Sequence, residues 1–391
     1  MNRTLTMFLA AAAVVGATGG TLAATALGGD DDPEGRDTAA ASDSADPTGS
    51  AGTSDPTGSD TPTSGGGEQP DGDPAAPGPG EPGDVLWVSQ RALHDGDQEI
   101  PIQLVDRPAS VERASGADAW VITTRSSPQE PSYEASVVRA DGSVVVLDAT
   151  FGDGDVSPDG TRYVAMRDDG SGYGVWDVAT GELVDTVAQG ETPDQYPFGG
   201  AQFVDDDTVA STWTDDRSRT VVLAGDLGSD ERTLVSDDLA GQWSISPDGK
   251  WFAGTSRTAK DAETGFDACA TVVPFGRPDA DAGLTDCGSK FYGVPSFTLD
   301  SSSVLALPYE SDGFGPGVFR PLPTGRAQVE QVDAPDATLD GVYLRDDLVL
   351  MLGAKNYDGD GTVITVCDSD GCEEVGRYDD AAEIAVLGTQ T

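Results

Sequence analysis

The chain has 391 residues, and its 69 Asp and Glu against 22 Lys and Arg leave a net charge of −47. That field repels phosphate backbones and anionic lipid headgroups, which argues against nucleic acid or a lipid surface as the partner. A single histidine, His94, and four cysteines with no Cys-x-x-Cys pair exclude a zinc site of the usual kind.

Residues 1–29 supply the address. Arg3 precedes a charge-free run of 23 residues, Leu5 to Leu27, and Asp30-Asp31-Asp32 follow it. As a helix the run spans about 34 Å, enough for a bilayer core. The basic residue before it and the acidic residues after it place the amino end inside and the remainder outside. Ala24-Thr25-Ala26 gives the segment a second reading, a signal peptide cleaved near Ala26. Both readings export the rest of the chain, and both are carried forward. No cysteine follows the apolar run, so a lipoprotein anchor is excluded.

Residues 30–84 contain 9 Pro, 11 Gly, 6 Ser and 6 Thr, and no Val, Ile, Leu, Met or aromatic residue. With nothing to bury, the segment cannot offset its ordering entropy and reads as a disordered linker. Net charge divides as +1 for 1–29, −13 for 30–84 and −35 for 85–391, so the folding part is itself acidic.

From Val85 the composition changes to short strand-like runs separated by Asp, Gly and Pro. Four places share one pattern, a hydrophobic step, a tight polar turn and a strand. They are Val156-Ser157-Pro158-Asp159-Gly160, Phe203-Val204-Asp205-Asp206-Asp207, Ile245-Ser246-Pro247-Asp248-Gly249 and Thr298-Leu299-Asp300-Ser301-Ser302. The alanines that follow, Ala165, Ala210, Ala253 and Ala306, are offset by 45, 43 and 53 residues. Such a period, with several strands inside it, predicts a β-propeller over 85–391. Seven runs resemble one another: Val85–Arg91, Ala119–Arg125, Arg162–Arg167, Thr208–Thr214, Lys250–Arg257, Ser303–Tyr309 and Leu348–Lys355. A spare apolar strand, Glu383–Leu387, ends the repeats. If it begins the blade that Val85 continues, the ring closes with seven blades; a six-bladed ring with a loose N-terminal hairpin is the alternative.

Cys367 and Cys372 flank the turn Asp368-Ser369-Asp370-Gly371, and Cys269 and Cys287 lie symmetrically about Pro278. Of the three connectivities, the local pairing fits both hairpins and implies structural disulfides in an oxidising compartment.

Ser157-Pro158-Asp159-Gly160-Thr161-Arg162-Tyr163-Val164-Ala165, continuing to Val175-Trp176-Asp177, resembles the WD40-like, TolB-type propeller repeat. Ser246-Pro247-Asp248-Gly249-Lys250-Trp251-Phe252-Ala253 is similar to it. The resemblance covers two repeats well and implies a propeller that binds macromolecules or peptides. It carries over no catalytic residue.

Catalytic signatures are sparse. No Gly-x-Ser-x-Gly elbow and no Ser-x-Asp-x-Gly-x-Thr-Trp box occurs, and His94 sits in Leu93-His94-Asp95-Gly96-Asp97, which reads as a solvated loop. Asn356, Asp358 and Asp360 with Gly361 match the first half of a calcium loop, but Ile364 and Cys367 occupy its ninth and twelfth positions. A weak structural calcium site and a plain Asp/Gly turn both fit. Aromatics recur in the segments leading to the innermost strands: Phe151, Tyr196, Phe198, Trp243, Phe291 and Tyr292. They form either a ligand surface at the channel mouth or packing between blades. The expectation is an exported, non-catalytic binding or scaffolding module whose partner is a protein, peptide or glycan of the cell envelope. A metal-dependent hydrolase or lyase with carboxylates at the channel mouth is the rival.

Overall fold

The structure, a computed structural model, describes residues 84–126, 133–149, 154–187, 196–214, 220–237, 239–257, 268–277, 283–291, 293–308, 316–324, 332–336, 338–345, 348–354, 361–368, 371–378 and 385–389. Residues 1–83, Phe151, Tyr292 and the candidate calcium ligands Asn356, Asp358 and Asp360 lie outside these.

The first strands are β1 (Leu86–Val88), β2 (Ala92–Asp95) and β3 (Gln98–Pro101). Then come β4 (Arg107–Ala114), β5 (Ala119–Arg125), β6 (Tyr133–Arg139) and β7 (Val144–Val146). The next set is β8 (Asp155–Val156), β9 (Arg162–Met166), β10 (Tyr173–Asp177) and β11 (Leu183–Val187). It is followed by β12 (Tyr196–Phe203), β13 (Thr208–Thr214), β14 (Thr220–Asp226) and β15 (Thr233–Ser236). Next are β16 (Leu239–Ile245), β17 (Trp251–Arg257), β18 (Ala268–Pro274) and β19 (Leu284–Asp286). After them come β20 (Ser289–Lys290), β21 (Ser303–Pro308), β22 (Pro316–Pro323) and β23 (Val332–Asp336). The last are β24 (Thr338–Arg345), β25 (Leu348–Ala354), β26 (Thr362–Asp368), β27 (Gly371–Tyr378) and β28 (Val386–Thr389).

Among the described residues these strands form five four-stranded sheets and one eight-stranded sheet of order β3-β2-β1-β28-β4-β5-β6-β7. Inside that sheet β28 pairs antiparallel with β1, placing Trp87 opposite Leu387 and Val88 opposite Val386. On its other side β28 runs parallel to β4, Gly388 opposite Val111 and Thr389 opposite Glu112. The C-terminal strand therefore does start the set that β1 continues.

The seven similar runs fall on β1, β5, β9, β13, β17, β21 and β25; in each of the five four-stranded sheets the run is the second strand, and β1 and β5 both lie inside the eight-stranded sheet. Second strands are sandwiched on both faces, so they read as continuous apolar runs rather than alternating ones. The core is accordingly divided into clusters between successive sets. Val121 and Val137 pack with Tyr163 and Trp176. Tyr173 and Val175 pack with Val209 and Trp213, and Ala210 and Val222 with Trp243 and Phe252. Ala253 and Val272 meet Val304 and Ala306, and Leu305 and Leu307 meet Tyr343 and Met351. Leu350 and Ile364 meet Trp87 and Leu387. Leu86 and Leu93 then meet Trp120 and Ile122, which returns the sequence of contacts to its start.

Three of the four polar turns, those at Ser157, Ser246 and Thr298 in chain order, follow one hydrogen-bond plan. In the first, Asp159 Oδ1 accepts from Ser157 Oγ at 2.6 Å and from the Thr161 N–H at 3.0 Å, while the Gly160 N–H donates to the Ser157 carbonyl at 2.7 Å. In the second, Asp248 Oδ1 accepts from Ser246 Oγ at 2.7 Å and the Lys250 N–H at 3.1 Å. The third substitutes Thr298 and Asp300, with contacts of 2.8 Å to Thr298 Oγ1 and to the Ser302 N–H. The position of Gly160 (φ +69°) and Gly249 (φ +68°) is there taken by Ser301 at φ +61°. The aspartates are thus spent on turn geometry.

Disulfides join Cys269 to Cys287 and Cys367 to Cys372. The second pair lies directly opposite in the β26–β27 register. One expectation is corrected: His94 is not a solvated loop residue but lies on β2. Its ring stacks on Trp87 with centroids 4.4 Å apart, and Tyr378 Oη, 3.2 Å from its Nε2, also accepts from the Trp87 indole at 3.1 Å. Burial holds the His94 imidazole below its ordinary pKa, against the pull of Glu99, and so favours its neutral form.

Candidate functional site

The innermost strands converge on a cavity of about 130 Å³. β4 lends it Ser110 and Glu112, β8 Asp155 and Val156, β12 Gln202 and Phe203, and β16 Ser244 and Ile245. Ser296 and Phe297, Val342 of β24, and Val386 and Leu387 of β28 complete the wall. Each set of strands contributes, so this cavity is the axial channel.

Its polar side chains form a chain of stitches. Four of them, Glu112, Asp155, Gln202 and Ser296, each reach one set onward and accept a backbone N–H there, whereas Ser244 donates to the carbonyl of its own neighbour Ile245 at 3.4 Å. Glu112 Oε2 takes the Val156 N–H at 2.8 Å, and Asp155 Oδ2 takes that of Phe203 at 2.6 Å. Gln202 Oε1 takes that of Ile245 at 3.0 Å, while its amide donates to the Trp243 carbonyl at 3.2 Å. Ser296 Oγ takes the N–H of Tyr343 at 2.9 Å. These residues occupy one place in the repeat, next to the hydrophobic step before the turn. No backbone ladder joins β4 to β8, β8 to β12 or β12 to β16 among the described residues, and a side chain makes the connection there. Between β28 and β4 the backbones pair directly instead.

Glu112 and Asp155 are nearly fully buried, at 4% and 8% exposure. Burial pushes the Asp155 carboxyl up to about 7, against the pull of the N–H groups of Phe203 and Val156. Among the described residues no group of three or more His, Cys, Asp or Glu is placed to hold a metal ion.

The aromatic candidates do not come together. Trp243 is buried at 4% exposure on β16, where its indole donates to Thr212 Oγ1 at 2.8 Å and its ring stacks on Phe252 at 5.8 Å. Phe291 is buried in the cluster with Phe297 and Val304. Of the two alternatives, the burial of Trp243 and Phe291 fits packing between sets. Tyr196 is exposed (49%) and Phe198 half-buried, both on β12 itself rather than in the segment leading to it. The stitching residues escaped sequence reading because the same position carries Glu, Asp, Gln and Ser in turn. Three of the four share a place in the sequence, one residue before Val156, Phe203 and Phe297, whereas Glu112 stands before Arg113 and gives no such signal.

No protein-family model matches the chain, and no curated protein does. Among solved structures it is similar to the complex of KlAtg21 with the coiled-coil of AgAtg16. There the identity is 10%, the TM-score 0.50, and coverage is 78% of this chain and 98% of that one. The Swd1 β-propeller domain of Myceliophteria thermophila matches at 9% identity and TM-score 0.45, over 71% of this chain and 88% of that one. TolB from Acinetobacter baumannii matches at 14% identity and TM-score 0.41, over 68% of this chain; the chain spans 65% of that protein's length. Likeness at such identities shows the fold alone. The chain has the β-propeller fold.

Proposed function

We propose that the chain is an exported, membrane-tethered, seven-bladed propeller that works as a non-catalytic binding or scaffolding module of the cell envelope. The observation that carries this reading is the stitching of the channel. Glu112, Asp155, Gln202 and Ser296 spend acceptor atoms on neighbouring backbone N–H groups, an arrangement that holds blades together rather than presenting reactive groups. The seven blades follow from dividing the eight-stranded sheet at β28–β4, the parallel contact of two innermost strands. Two disulfides support an oxidising, extracytoplasmic setting. The tether rests on the uncharged run Leu5–Leu27 and the linker 30–84. Tyr196 and Phe198 remain as the candidate aromatic surface, with a protein, peptide or glycan as ligand.

The test has two parts. The full chain should fractionate with membranes, and Val14→Asp with Val15→Asp should abolish that. The full chain should also capture one defined envelope component, and Tyr196→Ala with Phe198→Ala should reduce capture without moving the melting temperature. Soluble full-length chain, or capture equal in the aromatic variant, overturns the corresponding part. A second reading, an acid–base enzyme, is favoured by Asp155, whose raised carboxyl has the character of a general base near neutral pH. Turnover lost specifically in Asp155→Asn would establish it.

A further inference from the structure

Every blade of a propeller ends in an outer strand whose free edge is a template for another chain, and proteins blunt such edges with charge, proline or covalent locks. Four outer strands here are blunted. β3 carries Glu99 and Pro101, and β23 carries Asp333, Pro335 and Asp336. β19 ends beside Cys287, bonded to Cys269, and β27 holds Cys372, Glu373, Glu374 and Arg377. β15, Thr233–Ser236, carries no charge or proline and exposes one large apolar side chain, Leu234 (40%), whereas the successive outer strands β7 and β11 expose two each. β7 is Val144-Val145-Val146, with Val144 49% and Val146 54% exposed, and β11 exposes Leu183 (44%) and Val184 (54%). Neither has a second strand neighbour among the described residues.

The turn before β11 packs against β7. A Cβ on Gly181, in the turn before β11, would stand 2.8 Å from Val145 Cγ1. Arg139 spans the same seam, donating from Nη2 to the Ala179 carbonyl at 2.6 Å. The surroundings are acidic: Asp141 and Asp148 flank β7, and Glu182 and Asp185 border or lie on β11. A second copy of a domain with net charge −35 would bring like charges together, and the linker 30–84 (−13), without aliphatic residues beyond alanine and proline, offers neither the charge nor the side chains.

We propose that the outer edges of β7 and β11 dock an extended polypeptide segment that alternates apolar and basic residues, added as a further strand. Backbone hydrogen bonds to the edge provide the register, the exposed valines and leucine meet the apolar side chains, and the acidic border meets the lysines or arginines. This inference rests on the reading of the chain as a binding module and names the partner's chemistry.

The test is titration of the full chain with a synthetic Val-Lys octapeptide, alternating in sequence, followed by fluorescence anisotropy. A peptide of equal charge with prolines in place of alternate valines serves as control, since it cannot supply a full ladder. The expected result is saturable binding, at least tenfold weaker for the proline control and for Val144→Lys with Val146→Lys. The variant should keep the native melting temperature and both disulfides; Leu183→Lys with Val184→Lys is the second variant. Equal binding of both peptides, binding unchanged in both variants, or a concentration-dependent dimer occupying the edge overturns the docking proposal. Those outcomes leave capture by Tyr196 and Phe198, and hence the binding-module reading, to be judged by its own experiment.

Discussion

Asp95 on β2 holds Arg113 on β4 in a buried fork. The guanidinium Nη2 lies 2.6 Å from Oδ1 and Nε 3.0 and 3.2 Å from the two oxygens, with side chains 0% and 8% exposed. The Trp120 indole donates to the same carboxylate at 2.7 Å, and Arg113 Nη2 also reaches the Asp84 carbonyl at 2.8 Å. This cluster ties the set begun by the C-terminal strand to the set that follows it, beside the pairing of β1 with β28.

Removing one partner leaves an uncompensated charge in the interior. Asp95→Ala should therefore lower stability by about 3–5 kcal/mol, whereas Asp95→Leu combined with Arg113→Met should lie closer to the native chain. Urea melts of the two variants and the single Arg113→Met form the check. A double variant as unstable as the single one would show that the pair's geometry, not charge compensation, governs the seam.

Closure makes a second expectation concrete. Deleting 385–391 removes β28, which exposes the edges of β1 and β4 together with Trp87 and Leu86. The truncated chain should aggregate and lose its cooperative melt, as seen by size-exclusion chromatography and circular dichroism. An unchanged, monodisperse truncation would remove the closing role assigned to the strand.

Much of this architecture was legible because propeller repeats place similar demands on similar positions. Second strands are sandwiched on both faces, so Trp120-Val121-Ile122 and Val164-Ala165 announce themselves. The turns use a carboxylate and a positive-φ residue, joined in two of them by a proline, so Ser157–Gly160 and Ser246–Gly249 do too. The channel was not legible. Its requirement is only an acceptor on a side chain of suitable reach, which Glu112, Asp155, Gln202 and Ser296 meet with four different residue types. His94 was misread for a related reason. Its neighbours Asp95, Gly96 and Asp97 are turn-formers, but Asp95 is drawn into the strand by Arg113, and His94 goes with it onto Trp87.

Asp155 gives a pH signature with a definite sign. Its carboxyl titrates near 7 in the folded chain and near the ordinary 3.8 when unfolded. The folded state then holds the proton more tightly, so this contribution is whole below about pH 4 and declines as pH rises to about 7. Asp155→Asn cannot ionise. The stability of the native chain minus that of the variant should fall across this window and level off above it, measured by urea melts at each pH. His94 acts in the opposite sense, since burial holds its imidazole below 6.5 and its contribution is lost on acidification. It is common to both chains and cancels in the difference. A difference that rises with pH would contradict the assignment.

The turn glycines should not be equally replaceable. A Cβ on Gly160 would lie 2.4 Å from the Gly116 nitrogen and 2.8 Å from that of Ser115, both backbone. On Gly249 the nearest atom is the Val204 carbonyl oxygen at 3.0 Å. Both pay about 1 kcal/mol or more for positive φ, and Gly160→Ala adds a clash that only a shift of the neighbouring turn relieves. Thermal melts should rank Gly160→Ala well below Gly249→Ala. Ser301, already at φ +61°, shows that the position itself tolerates a side chain where space exists.

Trp243 separates packing from binding. Its ring lies between Thr212 and Phe252, with Ala210 and Val222 of the preceding set in the same cluster. Trp243→Ala opens a cavity at that interface and strips Thr212 Oγ1 of its indole donor. The expected cost is about 3–5 kcal/mol, read as a drop in melting temperature of many degrees. Tyr196→Ala, at an exposed site on the neighbouring innermost strand, should leave the melt nearly unchanged. The informative comparison is the pair. If Trp243→Ala melts like the native chain, the wedge between β13 and β17 is not held by this indole, and the residue returns to the list of surface candidates beside Tyr196 and Phe198.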